Sequence, residues 1–327
     1  MYIMRFDMRL APEGPGAREM YEAALAMTEW ADGHGCLAVA FSEHHASPDG
    51  YLPAPTLMAA AAAARTTRVP IQVAALVATL HHPVQMAEEL AVLDILSGGR
   101  VSVVLGMGYR QEEFDLYGIP MEDRAARMEE AVAVLQRAWA GEPVTVDGHG
   151  GEGARVTPAP LTPGGPPLLM GGGTPAAVRR AARLGLGMIT ERTGDLERIY
   201  LDACKAAGRE PGMFVGGGDA TVVATFVDHH PDAAWQRLGP HLLRDARAYA
   251  AWNLGAAKPM PGSVVPSTTV DEVRAAGRYR VYTPAEAVAH VRAGGHLVLH
   301  PLCGGTPPEL GWPTLRLMAE EVLPALG

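Results

Sequence analysis

Residues 41–50, FSEHHASPDG, put two adjacent histidines behind a glutamate, directly after the apolar run 37–41. Two imidazoles and a carboxylate at the end of a buried strand can hold a metal, move a proton or satisfy a turn. Two more pairs, His81-His82 and His229-His230, enlarge the choice. Adjacent residues on extended chain point opposite ways, so at most one imidazole of each pair shares a centre. The first strand-like segment, RFDMRL, offers no His-x-His, and we expect no metal. His44 reads as a proton donor or acceptor, with a structural hydrogen bond as the alternative. His45 reads as structural, and His81 and His82 as the entry to a helix opening at Pro83. His229-His230 reads as a solvated turn. Glu43 is expected either to hold an imidazole in one tautomer or to anchor an arginine.

A second stretch, MGGGTPAAVRRAAR (170–183), suits an anion. Glycines expose backbone N–H groups, Thr174 is placed to cap a helix, and Pro175 to open it. The unpaired donors and the dipole of that helix would then face a phosphate. The alternative is a tight turn that needs glycine for its dihedrals. No Lys-Ser/Thr follows, so this is not a Walker A loop.

Behind these residues stand alternating elements. Strand-like runs occupy 2–10, 37–41, 69–78, 100–106, 166–170, 186–190, 221–227 and 296–301. Helix-like segments occupy 17–33, 54–65, 83–96, 123–140, 175–184, 195–207, 231–251, 284–293 and 313–325. Most of the strands are continuous apolar runs, as buried parallel strands are. Eight such units predict an α/β fold of the (β/α)8 TIM-barrel type, a single domain over 1–327. The alternative, a doubly wound open sheet, wants a dinucleotide fingerprint. The nearest match, GMGYRQ, lacks the third glycine. Two stretches break the rhythm. Residues 141–166 read as a Gly/Pro-rich excursion with a short hairpin. Residues 252–282 read as an insertion before the last βα unit, placed to act as a lid.

The formal charge of -9, the sequence pI near 5.7 and the absence of a Lys/Arg block argue against nucleic acid. No apolar run is long enough to span a membrane. Cys36, Cys204 and Cys303 are far apart and form no CxxC, which suggests packing cysteines in a reducing, cytoplasmic setting. The balance suits a handler of small molecules.

The segments SEHHASPDGYLPAPTLMAAAAAART, HPVQMAEELAVLDILSGGRVSVVLGMGYRQEEFDLYG, RMEEAVAVLQRAWAGEP and PLLMGGGTPAAVRRAARLG resemble the bacterial-luciferase-like flavin-dependent oxidoreductases. The resemblance runs over 1–195 and resumes at YTPAEAVAHV and LRLMAEEVLPAL. It implies a barrel holding reduced FMN at the strand C-termini. The phosphate would rest on Gly172, Gly173 and Thr174. The ring would lie near Ala74, Ala75, Gly106, Met107 and Gly108, with a cis Ala74–Ala75 peptide bond. His44 matches the proposed catalytic base, with Glu43 beside it. Oxygen would be activated on flavin delivered by a separate reductase, and several relatives are dimers. Met107 stands where luciferase-type proteins carry an arginine for the phosphate, and Arg110 is one possible substitute. Many relatives use F420, whose acidic tail would want Arg110, Arg192 or Arg280. The resemblance therefore implies an FMN monooxygenase. F420-dependent hydride transfer and a non-catalytic flavin-binding partner subunit are the alternatives.

Overall fold

The computed structural model describes residues 1–146, 154–192, 194–216, 222–254 and 264–327. Strands and helices alternate: β1 (Tyr2–Phe6), α1 (Ala17–Gly33), β2 (Val39–Phe41), α2 (Pro55–Arg65), β3 (Ile71–Val77), α3 (Pro83–Ser97), β4 (Val101–Gly106), α4 (Gln111–Tyr117), α5 (Arg124–Trp139), β5 (Leu168–Gly171), α6 (Pro175–Leu184) and β6 (Gly187–Thr190). There follow α7 (Leu196–Ala206), β7 (Phe214–Gly216), β8 (Ala224–Val227), α8 (Pro231–Leu254), α9 (Val270–Ala275), β9 (Tyr279–Tyr282), α10 (Pro284–Arg292), β10 (Leu297–Leu299), α11 (Pro308–Leu317) and α12 (Leu323–Leu326). The fold is α/β with parallel strands, as expected.

The chain forms two compact units. The first comprises 1–40, 47–53 and 217–327; the second comprises 41–46 and 54–216. In the second unit β3, β4, β5, β6 and β7 pair in that order, all parallel, so their carboxyl ends share one edge. The pairing of β3 with β4 slips between Ala74 and Leu76, where the Ala74–Ala75 peptide is cis. Arg100 completes the helix-to-strand turn after α3. Its guanidinium donates to the carbonyls of Ala63 and Thr66, which the end of α2 leaves without helical partners, and to that of Val69 just before β3.

In the first unit β1, β10, β8 and β9 pair in parallel. The main chain of Leu37 and Ala38 joins the other side of β1. Its apolar core gathers Phe226, Trp235, Leu238, Leu242 and Tyr279. The first strand is shorter than its pattern predicts, because Met8 takes φ 62° and turns Asp7 and Arg9 inward. Arg9 is fully buried. It pairs with Asp7, Asp49 and Asp245, and its guanidinium carbon lies 4.7, 4.8 and 4.4 Å from the ring centres of Tyr51, Tyr249 and Trp252. Burial pushes the Asp245 carboxyl up against the pull of Arg9, and the Asp7 charge reinforces the push.

Eight strands were expected and ten are present among the described residues. Phe214–Gly216 and Tyr279–Tyr282 are too short, and too mixed in polarity, to show as apolar runs. The expected 252–282 insertion contains two regular elements, α9 and β9, and its stretch 255–263 lies outside the described residues. For the 141–166 excursion, the Val144 N–H bonds the Ala154 carbonyl, while 147–153 lies outside the described residues. The last long helix starts five residues before Pro313 and carries that proline inside it. The three cysteines are buried and unpaired. Among the described residues no helix is long and apolar enough to cross a membrane.

Candidate active site

His44 and His45 follow β2 and diverge, as adjacent side chains must. The His44 Nδ1 lies 2.8 Å from Glu113 Oε1, and its Nε2 lies 3.4 Å from the Tyr109 hydroxyl. Glu113 sits in the first turn of α4 and is buried. The same Oε1 accepts from the His45 N–H at 2.9 Å and from Arg110 Nη1 at 3.2 Å. Burial acts to raise the Glu113 carboxyl, but the His44 hydrogen bond and charge, the His45 amide and Arg110 outweigh it and hold it below the usual carboxylate range. An ionised Glu113 only accepts, so His44 Nδ1 carries a proton in either charge state, and Nε2 is the nitrogen left to gain or lose one.

Glu43 does something different. Its Oε1 takes His45 Nε2 at 2.7 Å and His81 Nε2 at 2.8 Å, and its Oε2 takes the Val77 N–H. Burial raises this carboxyl, but the two imidazoles and the amide outweigh it and hold it at about 2. The Tyr117 hydroxyl meets His45 Nδ1 at 3.0 Å. Glu43 thus ties the ends of β2 and β3 together and does not touch His44. One imidazole from each of two pairs shares the carboxylate, in line with the divergence argument. His45 is structural as read, whereas His81 does more than open a helix. Glu43, His45 and His81 bring their ligand atoms within 4.8 Å of one another. The 2.7 and 2.8 Å contacts are hydrogen bonds from the two imidazoles to one Glu43 oxygen.

On the same strand edge, Gly106 faces Ala75 closely: a Cβ there would stand 3.1 Å from the Ala75 Cβ. Gly108 has a packing reason of its own. It takes φ 69°, and a Cβ would come within 2.8 Å of the Phe114 ring. The Met107 carbonyl accepts from Thr79 Oγ1 at 3.1 Å, and its sulfur lies 3.3 Å from Arg180 Nη1. Arg110 turns inward to the His45 carbonyl and Glu113. It is therefore engaged with the histidine loop.

The glycine loop behaves as its sequence predicts, with one difference. Thr174 caps α6, accepting from the Ala177 N–H at 3.2 Å, and Pro175 follows. The Gly172 N–H bonds the Ile189 carbonyl, so that amide is taken up in strand pairing. Among the described residues no acceptor takes the N–H of Gly173 or Thr174. A Cβ at Gly172 would meet the Ala177 Cβ at 2.9 Å, and one at Gly173 would press on the Arg192 side chain. The loop is a shallow cradle that side chains would fill, at a helix N-terminus, and it fits a phosphate.

A family model described as luciferase-like monooxygenase matches residues 4–293. The chain belongs to the luciferase-like monooxygenase family. Its relatives include F420-dependent proteins and proteins solved with FMN. The F420-dependent glucose-6-phosphate dehydrogenase of Beutenbergia cavernae is 37% identical over 196 residues, which span 57% of this chain and 56% of that one. The chain thus matches little more than half the length of that relative. The monooxygenase RslO1 from Streptomyces bottropensis is 28% identical and superposes with a TM-score of 0.81, covering 100% of this chain and 99% of that one. The oxygenating constituent of 3,6-diketocamphane monooxygenase from Pseudomonas putida, solved with FMN, is 18% identical. It has a TM-score of 0.72 over 99% of this chain and 97% of that one, and shows the shared fold.

Within this family member, the sequence-predicted residues of the second unit fall into two groups. His44 and the β4 loop are joined through Glu113, Tyr109 and Arg110; Gly172, Gly173 and Thr174 form the cradle. Sequence reading missed Glu113 and Tyr109. The only available signal was an acidic pair, Glu112-Glu113, opening a helix just after a buried strand.

Proposed function

We propose that this chain is a flavin-dependent monooxygenase that takes reduced FMN from a separate reductase and uses O2 on a small organic substrate. The reading treats 1–327 as one barrel domain, acting as a cytoplasmic homodimer. Support comes from one family model spanning 4–293 and from likeness to RslO1 over the full chain. The observation that carries the reading is the His44–Glu113 couple, set on the same edge as a glycine cradle suited to phosphate.

When bound, the reduced flavin supplies electrons and oxygen activation. The chain's own residues do the rest. Gly173 and Thr174 offer amide donors to the phosphate. Ala74, Ala75 and Gly106 present little side chain where a planar ring would lie. His44 Nε2 takes a proton from the reacting species and returns it. Ionised Glu113 holds the ring in the productive tautomer and stabilises the imidazolium, as an acid does for any catalytic imidazole. Glu43, through His45 and His81, fixes the loop from which His44 projects. Gly172 serves through its lack of a side chain.

A second reading, F420-dependent hydride transfer, is favoured by the 37% identity to an F420-dependent dehydrogenase. Here too the His44–Glu113 couple handles the proton. Titration of the protein with FMN and with F420, oxidised and reduced, separates the two. Tight FMN binding with oxygen-dependent product supports the first reading. Tight F420 binding with oxygen-independent turnover replaces it with the second. Binding without turnover with either reduced cofactor would make the chain a non-catalytic partner subunit.

A further inference from the structure

We infer that Arg192 is the cation that grips the cofactor phosphate. The inference rests on reading the loop after β5 as the phosphate cradle. A phosphate carries a full charge or more, whereas loop amides and a helix terminus offer only partial charges. An arginine adds a charge-assisted, two-pronged hydrogen bond.

Three arginines of this region are otherwise engaged. Arg110 is buried against Glu113 and the His45 carbonyl. Arg180, beside Met107, pairs with Glu129 at 3.3 Å, and Arg183 pairs with the same carboxylate at 2.7 Å. Arg192 is different. It follows β6, and its backbone N–H is fixed on Thr190 Oγ1 at 3.1 Å. Its side chain lies across Gly173. A Cβ on that glycine would come 3.1, 3.2 and 3.3 Å from Arg192 Cδ, Cγ and Nε. The guanidinium is exposed, and no carboxylate or carbonyl of the described residues takes it. The missing Cβ of Gly173 therefore does two things. It bares an amide, and it lets a charged side chain rest over the amide it bares. Gly173, Thr174 and Arg192 together present two N–H donors and one cation to the same point.

The arrangement makes the phosphate, rather than the ring, the group that Arg192 recognises. FMN and riboflavin differ only in that group, and F420 and its deazaflavin precursor differ in that group together with the acidic tail beyond it. Wild type, Arg192→Ala, Arg192→Lys and Gly173→Ala are titrated by fluorescence and calorimetry with FMN against riboflavin. The same is done with F420 against its phosphate-free deazaflavin precursor. For whichever cofactor binds, Arg192→Ala should weaken the phosphorylated form roughly ten- to a hundredfold and leave the phosphate-free form within about twofold. Arg192→Lys should recover part of the loss, and Gly173→Ala should mimic Arg192→Ala by displacing the side chain. Equal losses for both forms, or no loss, would overturn the assignment to Arg192 while leaving the cofactor reading intact. A wild type that does not prefer the phosphorylated form, or that binds none of the four, would remove the cradle reading and this inference together.

Discussion

At the scale of single residues, the site separates two glutamates that look alike in sequence. Glu113 serves His44, and Glu43 serves His45, His81 and the Val77 amide. His44→Ala should lower turnover roughly 10²–10⁴-fold and leave cofactor affinity nearly unchanged, as expected for a lost acid–base group. Glu113→Gln should lower turnover more than tenfold, because the imidazolium loses its counter-charge. Glu43→Gln should keep turnover within about threefold while lowering the melting temperature. Steady-state rates beside thermal unfolding of the variants decide it. Equal kinetic losses in the two Gln variants would defeat the division of labour.

At the scale of elements, the Glu43 cluster links the ends of β2 and β3, and its strength depends on pH. The folded carboxyl sits at about 2 against an ordinary 4.5. Its stabilisation is thus complete above pH 4.5 and is lost as pH falls towards 2. The displacement corresponds to roughly 3 kcal/mol. Burial lowers His81, but its bond to Glu43 and the charges of Glu43 and Glu89 raise it above 6.5. Its share is complete below pH 6.5 and fades as pH rises past its folded value. Urea unfolding from pH 3 to 9 should show maximal stability near pH 4.5–6.5 from this cluster, and Glu43→Gln should flatten the acid side. The β4 loop is tested separately. Gly108→Ala, at φ 69° against the Phe114 ring, should destabilise by more than 1 kcal/mol in the same assay. A neutral result would remove the packing reason for that glycine.

At the scale of the molecule, the first unit is organised around Arg9, with its carboxylate partners and three aromatic rings. Breaking such a buried set by removing one member typically costs about 3–5 kcal/mol. Arg9→Ala should therefore lower the urea midpoint sharply, and a shift within error would contradict the buried geometry. The sequence made much of this architecture readable. Thr174 and Pro175 marked the start of α6 where the structure has it, because caps act locally. The apolar strands were readable because both of their faces are buried. Arg9, lying past the end of β1, was indistinguishable from part of a strand. Glu113 was hidden for a similar reason: an acidic residue opening a helix looks solvated until its partner, 69 positions earlier, is in place. The residues with non-local partners were the ones sequence could not assign.

That last pairing limits how this enzyme can be altered. The stretch 109–120 follows β4 and carries the whole of α4. Tyr109, Arg110, Glu113 and Tyr117 reach from it to the two histidines. A graft that replaces this stretch without carrying those four side chains would also remove the partners of His44 and His45. Chimeras at this segment should fail together unless the tetrad travels with them.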